Sequence, residues 1–252
     1  MKSEIVASIV LYKTNINQAT ETIKCVLSTS NILKLILVDN SPDNRLRALA
    51  SLDDRVVYIF NPSNPGFGAG HNMAIRKSIE SKVKYHVVLN ADINFEQGVL
   101  ETLYTYMEAN PDVGHVMPKV LYPDGEIQYL CKLLPTPMDL IFRRFVPFKH
   151  WKEKRNKSYE LRFTGYQNEM EAPYLSGCFM FLRVSALEEI GLFDEKYFMY
   201  PEDIDLTRRM NEKYRTMFYP SVYIIHAHGK ESYKNIIMLG IHIWNIIKYF
   251  NK

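Results

Sequence analysis

Four groups of residues in this sequence have the composition of working chemistry. Glu202-Asp203-Ile204-Asp205 sets three carboxylates directly after the apolar Phe198-Met199-Tyr200-Pro201. A carboxylate leaving an apolar wall is partly desolvated, which raises its pKa and suits it to act as a base. Acids at a helix start also cap free N–H groups and offset the helix dipole, so both roles stay open. Asp92 follows the apolar run Tyr85–Leu89 in Leu-Asn-Ala-Asp-Ile-Asn. With Asn90 and Asn94 nearby it suits a hard divalent cation that also takes phosphate oxygens, or a turn or helix cap. His226 and His228 close the last apolar stretch, and two histidines at spacing two on a strand share a face. Each is either a metal ligand beside the acids or a structural histidine. Gly66-Phe67-Gly68-Ala69-Gly70 leads into a helix. Glycine there lets backbone N–H groups approach an anion, or packs a tight turn of helix on strand. The loop lacks the Lys-Ser/Thr of a P-loop and the spacing of G-x-G-x-x-G.

The elements that must position these groups alternate along the first part of the chain. Strand patterns cover Ile5 to Tyr12, Leu33 to Val38, Val56 to Phe60 and Tyr85 to Asn90. Helix patterns cover Asn17 to Ser28, Arg45 to Ser51 and about His71 to Ser81. Near-continuous apolar strands joined by helices predict a parallel sheet covered on both faces. Ligands of such sheets bind beyond the carboxyl ends of the strands. Asp39, the Gly66–Gly70 loop and Asp92 all fall at such ends. Further on, Tyr174 to Arg183 and Thr216 to Ile225 read as strands, and Ser185 to Ile190 and Glu202 to Tyr214 as helices. The Lys132 to Glu171 stretch reads as irregular. Asn235 to Phe250 reads as a helix that is apolar over much of its circumference.

The chain has 252 residues, 47% of them hydrophobic, and a net charge of +3. That excludes a disordered acidic chain and gives no general reason to bind nucleic acid. Cys25, Cys131 and Cys178 are far apart and form no C-x-x-C pair, which fits reduced thiols in a cytoplasmic protein. The apolar run at Ile5 lacks the marks of a signal peptide, and no apolar stretch is long enough to span a bilayer.

Six fragments in order carry a resemblance. They are Val38-Asp39-Asn40-Ser41, Asn64-Pro65-Gly66-Phe67-Gly68-Ala69-Gly70-His71-Asn72, Leu89-Asn90-Ala91-Asp92, and Leu175-Ser176-Gly177-Cys178-Phe179-Met180. Gly191-Leu192-Phe193-Asp194-Glu195 with Phe198 to Leu206, and His226-Ala227-His228-Gly229, complete them. From about Ile5 to Phe250 the chain resembles the inverting family 2 glycosyltransferases with the GT-A fold, in their rhamnosyltransferase-like branch. The resemblance implies an α/β fold of Rossmann-like type, a mostly parallel central sheet flanked by helices. It implies one domain over 1–252. Residues 1–115 would form the nucleotide-sugar half, 116–230 the acceptor and catalytic half, and 231–252 an amphipathic C-terminal helix.

The implied reaction moves a sugar from a nucleotide diphosphate donor to a hydroxyl, with inversion and a divalent metal, Mn²⁺ or Mg²⁺. Asp203 would be the catalytic base. Asp39, Ser41, Gly68, Asn72, Asn90 and Asp92 would line the donor site, and Asp92 and His226 would hold the metal, with Asn94 and His228 as further candidates. Gly177, Glu202 and Trp151 would stand on the acceptor side. The branch implies dTDP-L-rhamnose as donor and a saccharide or lipid-linked saccharide acceptor in bacterial surface polysaccharide synthesis. UDP-galactofuranose, UDP-galactose or UDP-glucose is the alternative donor, and a non-catalytic nucleotide-sugar- or glycan-binding protein the alternative function. The cation–aromatic segment Arg143 to Arg155 suits an anionic membrane surface at the inner face of the plasma membrane, the diphosphate of a lipid-linked acceptor, or a solvated mobile loop over the active site. The last helix, with Trp244, Lys248 and Lys252, suits interfacial membrane binding or packing on the catalytic domain or a partner chain. A homodimer is a further option for the last helix.

Overall fold

The computed structural model describes residues 4–137, 149–227 and 236–251; the side chains of 149–152, 236–239 and 241–243 lie outside the description. Strand β1 (Ile5–Leu11) is buried along almost its whole length, as a central strand of a doubly covered sheet must be. It pairs in parallel with β2 (Ile32–Asp39) on one side and β4 (Tyr85–Leu89) on the other. Strand β3 (Val56–Phe60) extends the parallel run beyond β2. Beside β4 the direction changes, because β10 (Phe179–Arg183) lies antiparallel to both β4 and β6 (Val113–Leu121). β11 (Arg215–His226) then runs parallel to β6, and the two-residue β5 (Ile93–Asn94) pairs antiparallel with its end. The described strand order is β3-β2-β1-β4-β10-β6-β11-β5, with β8 (Met170–Glu171) added on β11. A small ribbon joins β7 (Cys131–Lys132) to β9 (Tyr174–Leu175). The fold is thus the mixed α/β architecture with a mostly parallel central sheet that the sequence predicts.

Helices α1 (Ile16–Leu27), α2 (Phe67–Glu80) and α3 (Val99–Ala109) follow β1, β3 and β5. Asn15 caps α1, its side-chain oxygen accepting from the Asn17 and Gln18 N–H groups. α4 (Lys149–Tyr159) forms within the stretch expected to be irregular. α5 (Val184–Ile190) follows β10, and α6 (Pro201–Met210) begins with Pro201 in its first turn, where a missing N–H costs nothing. α7 (Ile236–Phe250) closes the chain.

Two boundaries differ from expectation in ways that bear on function. α2 starts at Phe67, not near His71, so Gly68 and Gly70 are helical; the break falls at Gly66, whose φ is +108°. The single strand expected over Tyr174 to Arg183 is two, β9 and β10, interrupted at Ser176-Gly177-Cys178. A buried polar chain seats α2 on the sheet. Ser8 Oγ lies 2.7 Å from His71 Nδ1 and 2.8 Å from His86 Nε2, and Ser78 Oγ lies 2.7 Å from His86 Nδ1. Burial drives the His71 pKa far down and that of His86 to about 3, so both rings are neutral.

Candidate active site

The carboxyl ends of β1, β2 and β4 and the turn between β9 and β10 gather the residues singled out above. Asp39 ends β2 with no exposed surface. Its carboxylate accepts from the Tyr58 hydroxyl at 2.5 Å and from the Ser41 N–H at 2.9 Å. Burial and this contact push the Tyr58 phenol upward, so it stays a donor. Ser41 is also buried, and its hydroxyl accepts from the Lys13 N–H at 2.8 Å. Asn40, which the sequence does not single out, ties the ends together. Its amide donates to the Gly66 carbonyl and its oxygen accepts from Asn61.

Gly68 and Asn72 turn toward another part of the chain. A Cβ on Gly68 would meet Phe193 Cβ at 2.9 Å and Glu202 Cγ at 3.3 Å, so the glycine lets α2 press against α6 and the turn before it. The Asn72 amide donates to the Phe193 carbonyl and to Glu195, and its oxygen accepts from the Phe193 N–H. These two residues therefore fix the Gly191–Glu195 turn against α2.

The three acids of α6 have three different states. Asp205 is wholly buried and paired with Arg208 at 3.2 Å and Arg209 at 2.9 Å, a structural pair. Asp203 is 8% exposed. One of its oxygens accepts from the Gly177 N–H at 2.8 Å and the Tyr174 hydroxyl at 2.9 Å, and the other from the Ile204 N–H at 2.8 Å. Burial raises its pKa, while these donors and the charge of Lys132 restrain the rise. Glu202 is driven well above the usual range by burial and by the adjacent Asp203 charge. Its Oε2 is buried and has no hydrogen-bond partner among the described residues, as a protonated neutral acid tolerates better than an anion. The two neighbours thus differ: Asp203 is held by three donors that restrain its rise, and Glu202 is pushed further up with one oxygen unpartnered among the described residues. The native chain holds these protons more tightly than the unfolded chain, so stability falls as pH rises from the ordinary carboxylate range through the raised values.

Gly177 explains the break between β9 and β10. A Cβ there would lie 3.0 Å from Asp203 Cβ and 3.2 Å from Asp203 Oδ2. Only glycine lets the backbone come close enough to donate to the carboxylate. Immediately before α6, Tyr200 holds φ +91° and ψ −63°, a conformation that costs a non-glycine residue about 1–3 kcal/mol. The strained residue thus directs the chain from Phe198 into Glu202 and Asp203.

Asp92 and His226 meet through the β5–β11 pairing. The Asp92 carbonyl accepts from the Ala227 N–H, and Asp92 Oδ1 lies 3.3 Å from His226 Nε2. Asn90 Nδ2 also lies 3.3 Å from that nitrogen, and the Asn90 N–H donates to the Cys178 carbonyl at 2.9 Å. Burial works against charge on His226, yet the Cys178 sulfur and Asp92 push its pKa up to about 10. Asn94 turns the other way, its oxygen accepting from the Cys25 thiol. Ser176-Gly177-Cys178 is therefore the hinge of the site, with Gly177 on Asp203 and Cys178 against Asn90 and His226. Trp151 lies on α4 with its side chain outside the described residues, and His228 lies outside them entirely. Tyr58, Tyr174, Lys132, Cys178 and Gln128 escape a reading of the sequence, because each acts through a contact made across the fold. Only Cys178 sits inside a fragment that drew attention.

Residues 9–191 match the family described as Glycosyl transferase family 2. The chain belongs to that family. A hexosyltransferase of low-salt glycan biosynthesis from Haloferax volcanii is 29% identical over 183 residues, 71% of this chain and 54% of the relative. The N-acetylglucosaminyl-diphospho-decaprenol L-rhamnosyltransferase of Mycobacterium tuberculosis is 26% identical over 220 residues, 79% of this chain and 68% of the relative. The match thus spans about half to two thirds of these relatives' length. The fold is shared with the crystal structure of GalNAc-T7 with UDP, GalNAc and Mn²⁺. The TM-score is 0.66 at 14% identity, covering 88% of this chain and 42% of that one. The rhamnosyltransferase-like resemblance and the GT-A type of fold hold as the sequence implies.

Proposed function

We propose that this family 2 glycosyltransferase is an inverting, metal-dependent hexosyltransferase. Its donor would be a nucleotide diphosphate sugar, dTDP-L-rhamnose first and a UDP-hexose second. Its acceptor would be a hydroxyl of a saccharide or lipid-linked saccharide in surface glycan assembly. One observation carries the reading: a single turn, Ser176-Gly177-Cys178, contacts both a poised carboxylate, Asp203, and the Asp92–His226 pair. A one-step displacement at an anomeric carbon needs such a pair of stations, one to take the acceptor proton and one to stabilise the departing diphosphate.

Asp92 and His226 suit the metal. Among the described residues no group of three or more His, Cys, Asp or Glu forms a closed site. One carboxylate and one imidazole fit an ion that completes its shell with diphosphate oxygens and water. When bound, that ion would offset the charge developing on the leaving group. Asp39 and Ser41, both buried, would form the floor beneath the nucleoside, with Asn90 and Asp92 toward the diphosphate and Gly68 and Asn72 shaping the loop between. Glu202 and Gly177 would border the acceptor hydroxyl. The rhamnosyl donor and the lipid-linked acceptor draw support from the mycobacterial relative. No described helix is long and apolar enough to cross a membrane. The exposed Trp244 and Ile247 of α7, with Lys248 5.8 Å from the Trp244 ring, support contact with a lipid surface.

The test is a thermal-shift series with dTDP, UDP and their sugars, with and without Mn²⁺. A ligand at a hundred times its Kd stabilises the native state by about 2.7 kcal/mol. The expected result is a rise in Tm that needs both nucleotide and metal and is largest for one dTDP- or UDP-sugar. No rise with any nucleotide would overturn the donor assignment. The acid pair gives a second expectation. kcat/KM should climb with pH through one ionisation above the ordinary aspartate range, because Asp203 must lose its proton to act. Glu202→Gln, which mimics the protonated neighbour, should leave that limb in place and keep most of the rate. Loss of the limb would transfer the base role to Glu202.

A further inference from the structure

We infer that Gln128 is a positioning residue that keeps a proton on His226 Nδ1 and so turns Nε2 toward Asp92 as the metal-facing atom. The inference rests on His226 being a metal ligand. Gln128 is buried at 3% exposure, just beyond the Pro123-Asp124-Gly125 turn, where its N–H donates to the Val120 carbonyl at 2.8 Å. Its side-chain amide has one arrangement that satisfies its surroundings. Nε2 lies 2.7 Å from the His226 carbonyl and 3.3 Å from the Leu121 carbonyl. Both carbonyls only accept, so the NH₂ group must face them. The amide oxygen then stands on the opposite side, 3.0 Å from His226 Nδ1. An acceptor at that place requires a hydrogen on Nδ1.

A flipped amide would set its oxygen against two carbonyls and lose both contacts, whatever tautomer the ring adopts. The proton left on a neutral His226 is therefore the one on Nδ1, and the lone pair is on Nε2. That nitrogen is the one 3.3 Å from Asp92 Oδ1. The Nδ1 proton is present whether or not Nε2 carries one. Gln128 thus does for His226 what a carboxylate or carbonyl does behind most metal-binding histidines, fixing tautomer and ring angle together. It joins β6, β11 and the site in one side chain.

Two substitutions separate positioning from simple bracing. Gln128→Glu keeps an oxygen for Nδ1–H but loses the donor to the His226 and Leu121 carbonyls. Gln128→Leu loses both. Mn²⁺ affinity of the full chain, read from free Mn²⁺ by electron paramagnetic resonance with UDP or dTDP present, should fall about 10- to 100-fold in Gln128→Leu. It should stay within a few-fold of wild type in Gln128→Glu. Equal weakening of both variants would assign Gln128 a bracing role, and unchanged affinity in Gln128→Leu would leave it none; either overturns the inference. ¹⁵N-histidine NMR of the wild-type chain gives an independent reading if Gln128→Leu does not fold. Read upward in pH until His226 gives up a proton, the neutral ring is expected to keep its hydrogen on Nδ1, and a neutral ring with a bare Nδ1 overturns the inference. A wild-type chain that takes up no Mn²⁺ with either nucleotide overturns the metal reading instead, and the NMR signal then judges the place of the proton alone.

Discussion

With Asp203 as the proposed base, Asp203→Asn should lower kcat by about a thousand-fold and leave nucleotide binding within a few-fold of wild type. The size follows from the work the carboxylate does. An acceptor hydroxyl is a weak nucleophile, and a positioned base contributes about 10²- to 10⁴-fold. An amide cannot take the proton. A thousand-fold loss corresponds to about 4 kcal/mol of transition-state stabilisation. Donor binding should survive because Asp203 is held by Gly177 and Tyr174, whereas the proposed nucleotide end lies at β2 and its Asp39. The amide also has one oxygen where the carboxylate uses two. If it faces Gly177 and Tyr174, its NH₂ meets the Ile204 N–H, at a cost of about 1–3 kcal/mol, partly offset by removing a buried charge. Initial rates with the productive donor, set beside calorimetric titration of its nucleotide, give both quantities. A variant that turns over like wild type removes Asp203 from the chemistry. One that loses nucleotide binding to the same degree makes it a donor residue instead.

The sheet and its strand ends were legible because β1, β2 and β4 are almost wholly buried and read as near-continuous apolar runs, each broken by a single polar residue before its end: Ser8, Lys34 and His86. Asp39 and Asp92 could be set at strand ends from composition alone. What the sequence hides is the part made by contact. The break at Gly177 leaves no mark in an apolar stretch from Tyr174 to Arg183, since its cause is a carboxylate twenty-six positions on. The start of α2 at Phe67 is hidden for the same reason. Three glycines in five residues suggest a loop, yet Gly68 is small so that Phe193 and Glu202 can close on it. The three acids of α6 look alike in order and differ in state. Arg208 and Arg209 pair with Asp205, burial and the Asp203 charge drive the Glu202 pKa well up, and Asp203 combines three donors with a raised pKa. Gln128 has no signal in composition at all; its meaning appears only when β6 and β11 bring it beside His226.

Gly66→Ala should cost about 2–6 kcal/mol, the largest stability loss expected of any methyl group added at this site. Two effects add. Gly66 has φ +108° and ψ −179°, a region nearly closed to other residues, where strain is about 1–3 kcal/mol. An ideal Cβ would also lie 2.2 Å from the Phe198 carbonyl oxygen and 2.8 Å from its carbon. That obstacle is backbone and cannot rotate away; overpacking of this kind costs about 1–3 kcal/mol. Gly98→Ala separates the two, because its φ is +96° and nothing lies within 4 Å of the added carbon. It should lose only the strain. For a chain of this size the difference amounts to a Tm lower by about 10 °C for Gly66→Ala and a few degrees for Gly98→Ala. The clash also reaches the chemistry. The Phe67 N–H donates to the same Phe198 carbonyl at 3.0 Å, and from Phe198 the chain passes through the strained Tyr200 into Asp203. Pushing Phe198 away should therefore loosen Asp203, the proposed base, as well as the loop, and the folded fraction of Gly66→Ala should show a lower kcat where Gly98→Ala keeps its own. Thermal melts paired with rates per folded molecule decide it. If the two variants melt together and turn over alike, the contact between the glycine loop and Phe198 does not hold the catalytic helix in place.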